Sequence, residues 1–144
     1  MFKPLFFFCA VAVSSAGHAQ VQPADFIAGN WRSDGQFVFK EDQPSPQYFW
    51  IGPIRGDITP TGKLTLKASN GCTATGLLSP VVNNRVRFKG AINVTQCSSA
   101  AMNRTYSVEA NYISGNLKLV ATAKNIQGGR LKSTFEITST LSRT

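Results

Sequence analysis

From about residue 30 onward, apolar and polar residues alternate with a period of two, the signature of strands with one buried face. "QFVFK" (36–40) and "QYFWIG" (47–52) read as aromatic strands joined by the acidic, proline-bearing loop "EDQPSPQ" (41–47). "KLTLKA" (63–68) follows a Pro60-Thr61-Gly62 turn, and Asn70-Gly71 is a hairpin signal before "CTATGLL". "RVRFKGAINVTQC" (85–97) puts Val86, Phe88, Gly90, Ile92 and Val94 on one parity and Arg85, Arg87, Lys89 and Cys97 on the other. "TYSVEANYI" (105–113) aligns Tyr106, Val108, Ala110 and Tyr112 on one face. "LKLVATAKN" (117–125) and "RLKSTFEITSTL" (130–141) complete the series, the last with Leu131, Phe135, Ile137 and Leu141 inward. No stretch has helical periodicity, and "PADFIAG" (23–29) offers at most one turn.

Tight turns join most of these segments, so the chain reads as an all-β, antiparallel, up-and-down meander of about eight strands. Such a meander hides its edges best by closing into a small barrel, and a two-sheet β-sandwich is the alternative. Tyr48-Phe49-Trp50 cannot all enter one core, because strand side chains alternate. Tyr48 and Trp50 share one face, and either the 41–47 loop packs over them or they form a contact patch.

The N-terminus departs from the pattern. A basic start, the apolar run Leu5–Val13 and the small residues Gly17-His18-Ala19 mark residues 1–19 as a secretory signal peptide. Residues 20–144 then form one domain with no second long apolar run, exported to the periplasm or beyond and not membrane-spanning. Cys9 leaves with the signal, so Cys72 and Cys97 are expected to form a disulfide in an oxidising compartment. If Asn83-Asn84 is the hairpin turn, Val82 faces Arg85 and Cys72 faces Thr95. Cys97 is then a diagonal neighbour on the face of the arginines, at roughly 7–8 Å, and a bulge must close the gap.

Gly29-Asn30-Trp31 at the head of the first strand resembles the calycin barrels: lipocalins, avidins and bacterial metalloprotease inhibitors. That resemblance implies a tryptophan closing the barrel floor against a basic residue from a late strand, here Arg130 or Arg143. Neither the further lipocalin signatures nor an avidin biotin site is visible.

Chemistry is sparse. The only histidine, His18, lies in the signal, which removes His-based catalysis and most zinc sites from the mature chain. No nucleophile elbow or phosphate loop occurs, and Glu41, Asp42, Asp57, Glu109 and Glu136 read as surface charge. We therefore expect no catalytic residues, metal or cofactor. A paired carboxylate acting on a glycoside is the remaining enzymatic alternative. "RGD" (55–57) falls in or beside a strand, and sequons at Asn93 and Asn103 matter only in a eukaryotic secretory route.

The formal net charge of +8 favours anionic partners outside the cytoplasm, whether protein, glycan or lipid. Export and the lack of a binding motif exclude nucleic acid. Arg85, Arg87 and Lys89 form a row that is either a solvated face or a docking stripe. The expected function is an exported binding protein. It is either a protein-binding module, such as an extracellular hydrolase inhibitor or surface-attachment factor, or a calyx for an apolar or glycan ligand.

Overall fold

The computed structural model describes residues 24–34, 37–41 and 45–144. The signal-peptide residues, Pro23 at the start of the 23–29 segment, and Asp42 lie outside the described residues. Ten strands form one antiparallel sheet: β1 (Gly29–Ser33), β2 (Val38–Glu41), β3 (Gln47–Trp50), β4 (Ile54–Ile58), β5 (Lys63–Ala68), β6 (Thr73–Val81), β7 (Asn84–Thr95), β8 (Thr105–Ile113), β9 (Asn116–Gln127) and β10 (Arg130–Arg143). Their order is β1-β4-β5-β6-β7-β8-β9-β10-β2-β3, and β1 also pairs with β10. Eight strands thus close a barrel, with β2 and β3 as a hairpin continuing from it. The sandwich alternative is excluded.

β1 and β2 lie end to end along the same edge of β10, at Trp31↔Arg143 and Ile137↔Phe39. β4 and β3 pair with them in the same succession. The chain therefore runs as the anticipated meander, with its first two long strands each broken near the middle. The 3-10 turn Asp25–Ile27 leads into β1.

Alternation fills the barrel. Ile54, Leu64, Leu66, Leu78, Phe88, Ile92, Tyr106, Val108, Leu117, Phe135, Ile137 and Leu141 are all buried, as are Trp31, Phe37 and Phe39. Two apolar spaces between the core side chains measure about 20 and 10 Å³, the scale of a single water. Aromatic rings dominate the upper half: Phe39 stacks on Phe135 with 5.7 Å between centroids. Gly56, Gly76 and Gly90 let neighbouring strands approach closely, since a Cβ there would strike the carbonyl oxygens of Thr65, Ala91 and Leu77.

Three local expectations are corrected. First, the β6–β7 turn is Val82-Asn83, not Asn83-Asn84, with Asn83 at φ 60°. The ladder then shifts between Pro80↔Phe88 and Val81↔Asn84. Pro80 has no N–H to give the ladder, so the pairing breaks there and extra β7 residues bulge out. Asn84 Oδ1 accepts the N–H groups of Val86 and Arg87 within that bulge, both at 3.1 Å. Second, the Cys72–Cys97 disulfide exists but faces the core, not the arginine face. Thr73 pairs with Thr95, one residue out from the expected register, and Gln96 at φ 60° turns Cys97 inward. The Cα atoms stand 4.1 Å apart. Third, Leu131 is exposed, because a bulge between Leu131 and Ser133 reverses its direction and buries Ser133 instead.

Candidate functional site

The filled interior directs attention to the two ends of the barrel. The floor is built on Gly29 and Trp31. Gly29 adopts φ +136°, and a Cβ there would come within 2.9 Å of Arg143 Nη1. The positive φ is what favours glycine, since the arginine tip could shift from a Cβ. Trp31, 1 % exposed, donates its indole N–H to the Ile27 carbonyl at 2.9 Å, which fixes the 3-10 turn beneath the barrel. Arg143 lies over the Trp31 ring at 4.7 Å. Its two Nη atoms donate to the Ala28 and Phe26 carbonyls at 2.7 and 2.6 Å. Phe26 meets Tyr112 edge-on at 4.6 Å, completing an aromatic plug. Of the two candidate arginines, Arg143 is the one on Trp31. Arg130 sits at the β9–β10 hairpin at the opposite end, paired with Gln127.

The opposite end, the rim, is held covalently. Cys72–Cys97 ties the β5–β6 turn to the start of the 98–104 segment. The 3-10 turn Ala100–Met102 in that segment drops Met102 onto the core. Asn103 Oδ1 accepts the Cys97 N–H at 2.9 Å, and Arg104 stacks over Phe135 at 3.6 Å. Beneath Met102, Tyr106 donates its hydroxyl to the Met102 carbonyl at 3.0 Å. Burial pushes the Tyr106 hydroxyl up to about 12, although nearby Arg104 acts in the opposite direction. No hydrophobic period marks residues 98–104, so the sequence reading missed this cap.

Beside the cap, β3 is the last strand of the sheet order, and no described strand pairs with its outer edge. Ile51 donates its N–H to the Phe37 carbonyl, toward β2. Backbone direction alternates along a strand, so Tyr48 and Trp50 present their N–H and C=O groups to the open edge. Their side chains are 70 % and 61 % exposed, on one face and roughly 7 Å apart along the strand. Phe49 points the other way and contacts Phe39 at 5.5 Å, and Ile51 is buried. The alternation therefore sets Phe49 and Ile51 on one face and Tyr48 and Trp50 on the other, with Ile51 buried and Phe49 still 41 % exposed.

Arg85, Arg87 and Lys89 are exposed on β7, near the floor rather than the rim, so they form no common site with Tyr48 and Trp50. Nor are they one straight row: Lys89 is in the regular ladder and faces Glu109 at 3.5 Å, whereas Arg85 and Arg87 fall in the bulge. "RGD" lies inside β4, paired on both sides by β1 and β5, so it is not a loop epitope. Among the described residues, no group of three or more His, Cys, Asp or Glu could hold a metal ion. Compared with known proteins, the chain matches no family model, no curated protein and no solved structure.

Proposed function

We propose that this chain is an exported, non-enzymatic protein-binding module whose partner-facing surface is the β3 edge at the rim, such as an inhibitor of an extracellular hydrolase or an attachment factor. The observation that carries this reading is the pairing of a filled interior with two exposed aromatics on an open strand edge. A calyx needs several hundred Å³ of interior space, and the interior spaces found among the described residues measure about 20 and 10 Å³. An extended segment of a partner can add to β3 through the outward backbone groups of Tyr48 and Trp50 and rest its side chains on the two rings. Tyr and Trp are favoured for this because they bury large area at low entropic cost. The mature chain's positive charge favours an acidic partner, and it opposes self-association of two copies.

Arg143 on Trp31, with Gly29 beside it, supports a reading of kinship with calycin barrels, and the filled interior favours the metalloprotease-inhibitor layout over the ligand-carrying one within that reading. Export rests on the signal-like N-terminus and is supported by the disulfide, which persists in oxidising compartments. The test is affinity capture from the native secretome with wild type and with Tyr48→Ala/Trp50→Ala. A partner retained by wild type and lost by the folded double variant is the expected result. A small molecule co-purifying with wild type, and no protein lost in the variant, would refute it.

A further inference from the structure

At the floor, the bulge forced by Pro80 carries the β6–β7 hairpin past the Trp31 plug. Between this hairpin and the 3-10 turn lies an open groove of about 1200 Å³, lined by Phe26, Val82, Val86 and Phe88 among others. Val82 at the tip is 85 % exposed and Phe26 51 %, and Val86, whose parity points it inward, stays exposed because the barrel has already ended. Arg85 borders the groove and Arg87 follows on the outer wall, while Lys118 is reached through the pairs Arg87↔Asn111 and Asn111↔Lys118. Asp25 is the single acid among the groove's lining residues. Neither Arg85 nor Arg87 makes an ion pair among the described residues.

We propose that this end of the barrel docks on the surface of an anionic lipid bilayer. The hairpin tip and Phe26 enter the headgroup boundary, and Arg85 and Arg87 pair with lipid phosphates above it. An apolar tip with cations beside it on the outer wall supplies both terms of interfacial binding, apolar burial and attraction to anionic headgroups. Arginine stems suit this position, since their methylenes lie along apolar surface while the guanidinium stays at the phosphates. A second copy fits the groove poorly, because it brings the same positive charge against it. This inference is independent of the β3 edge at the other end, which a docked barrel would leave facing away from the membrane.

The experiment is co-sedimentation of the disulfide-bonded mature protein with vesicles of phosphatidylcholine alone or mixed with phosphatidylglycerol. Wild type should pellet with the mixed vesicles only. Arg85→Gln and Arg87→Gln should each lower partitioning about fivefold at physiological salt. Val82→Asp should lower it at low salt as well, because it opposes insertion and not only charge. Trp50→Ala should change nothing, and in a Trp50→Phe background Val82→Trp should shift its emission to the blue on mixed vesicles. These positions are exposed, so melting temperatures should stay put. Absence of pelleting with mixed vesicles overturns the proposal. So does Val82→Asp behaving as wild type, which would reduce the attraction to diffuse net charge, or equal binding to neutral vesicles.

Discussion

Trp31 is 1 % exposed and Trp50 is 61 % exposed, and the chain has no other tryptophan. Both sit in strands of the same barrel, at opposite ends. Trp31 has its N–H satisfied by Ile27, a cation on its face and Tyr112 beside it. Trp50 has the outer face of an edge strand. The contrast teaches how one barrel separates its tasks. The floor is shut by edge-on rings and a guanidinium, the rim by a disulfide and a 3-10 cap, and the apolar spaces found between them among the described residues measure about 20 and 10 Å³. Outside, the fold leaves Tyr48 and Trp50 exposed, the surface proposed above for recognition.

That division is open to mutation. Trp31→Ala should cost about 3–5 kcal/mol, since it empties the floor and leaves the Arg143 guanidinium without its ring. Thermal unfolding measures this, and a shift no larger than that of a surface variant would break the comparison. Cys72→Ser should cost about 3 kcal/mol by freeing the rim in the unfolded chain. Mass spectrometry of the intact protein should find Cys72 linked to Cys97 and no free thiol, and two free thiols in exported material would contradict it. Arg143→Met keeps much of the apolar contact and removes two charge-assisted hydrogen bonds and a cation–π contact. A cost of about 1–2 kcal/mol is expected at this exposed position.

Alkaline titration reports on the rim cap. The unfolded chain releases the Tyr106 proton near pH 10, but the folded chain holds it to about 12. Above pH 10 the unfolded state binds fewer protons, so stability is intact below that pH and falls as pH rises toward 12. Tyr106→Phe should flatten this decline in denaturant midpoints measured across that range. The smallest effect on stability is at the other tryptophan. Trp50→Ala should move stability by less than about 0.5 kcal/mol while abolishing partner capture. A large loss of stability would place Trp50 in the core and not at an interface.

Much of this architecture is legible in the sequence because a period of two is a strong local signal. It places β2, β3 and β5 to β10, and the glycine and asparagine turns order them into a meander, but it gives no separate strand for the barrel's β4. The Cys72–Cys97 link is legible from cysteine arithmetic, whereas the resemblance carried by Gly29 and Trp31 leaves Arg130 and Arg143 as equal candidates, and only the geometry puts Arg143 on Trp31. The misreadings share one cause. Pro80 interrupts a ladder it cannot donate to, Gln96 adopts a left-handed turn, and a bulge follows Leu131, and each reverses the parity of what comes next. A one-residue slip exchanges faces, so a correct set of strands still put the disulfide on the wrong side. The 98–104 cap carries no period at all, and whether β3 has a neighbour is decided by residues distant in sequence.

The division of labour is tested most directly by photo-crosslinking from two exposed positions, one on the β3 edge and one on the barrel wall. A benzophenone amino acid is placed at Trp50 in one exported variant and at exposed Leu77, on the barrel wall, in another. Irradiation in the native secretome should give a covalent adduct with a protein from position 50 and none from position 77. Wild-type protein purified from the same source should have the mass of its polypeptide alone. A retained small molecule in that mass, with no adduct from position 50, would contradict a barrel that works from its outer surface.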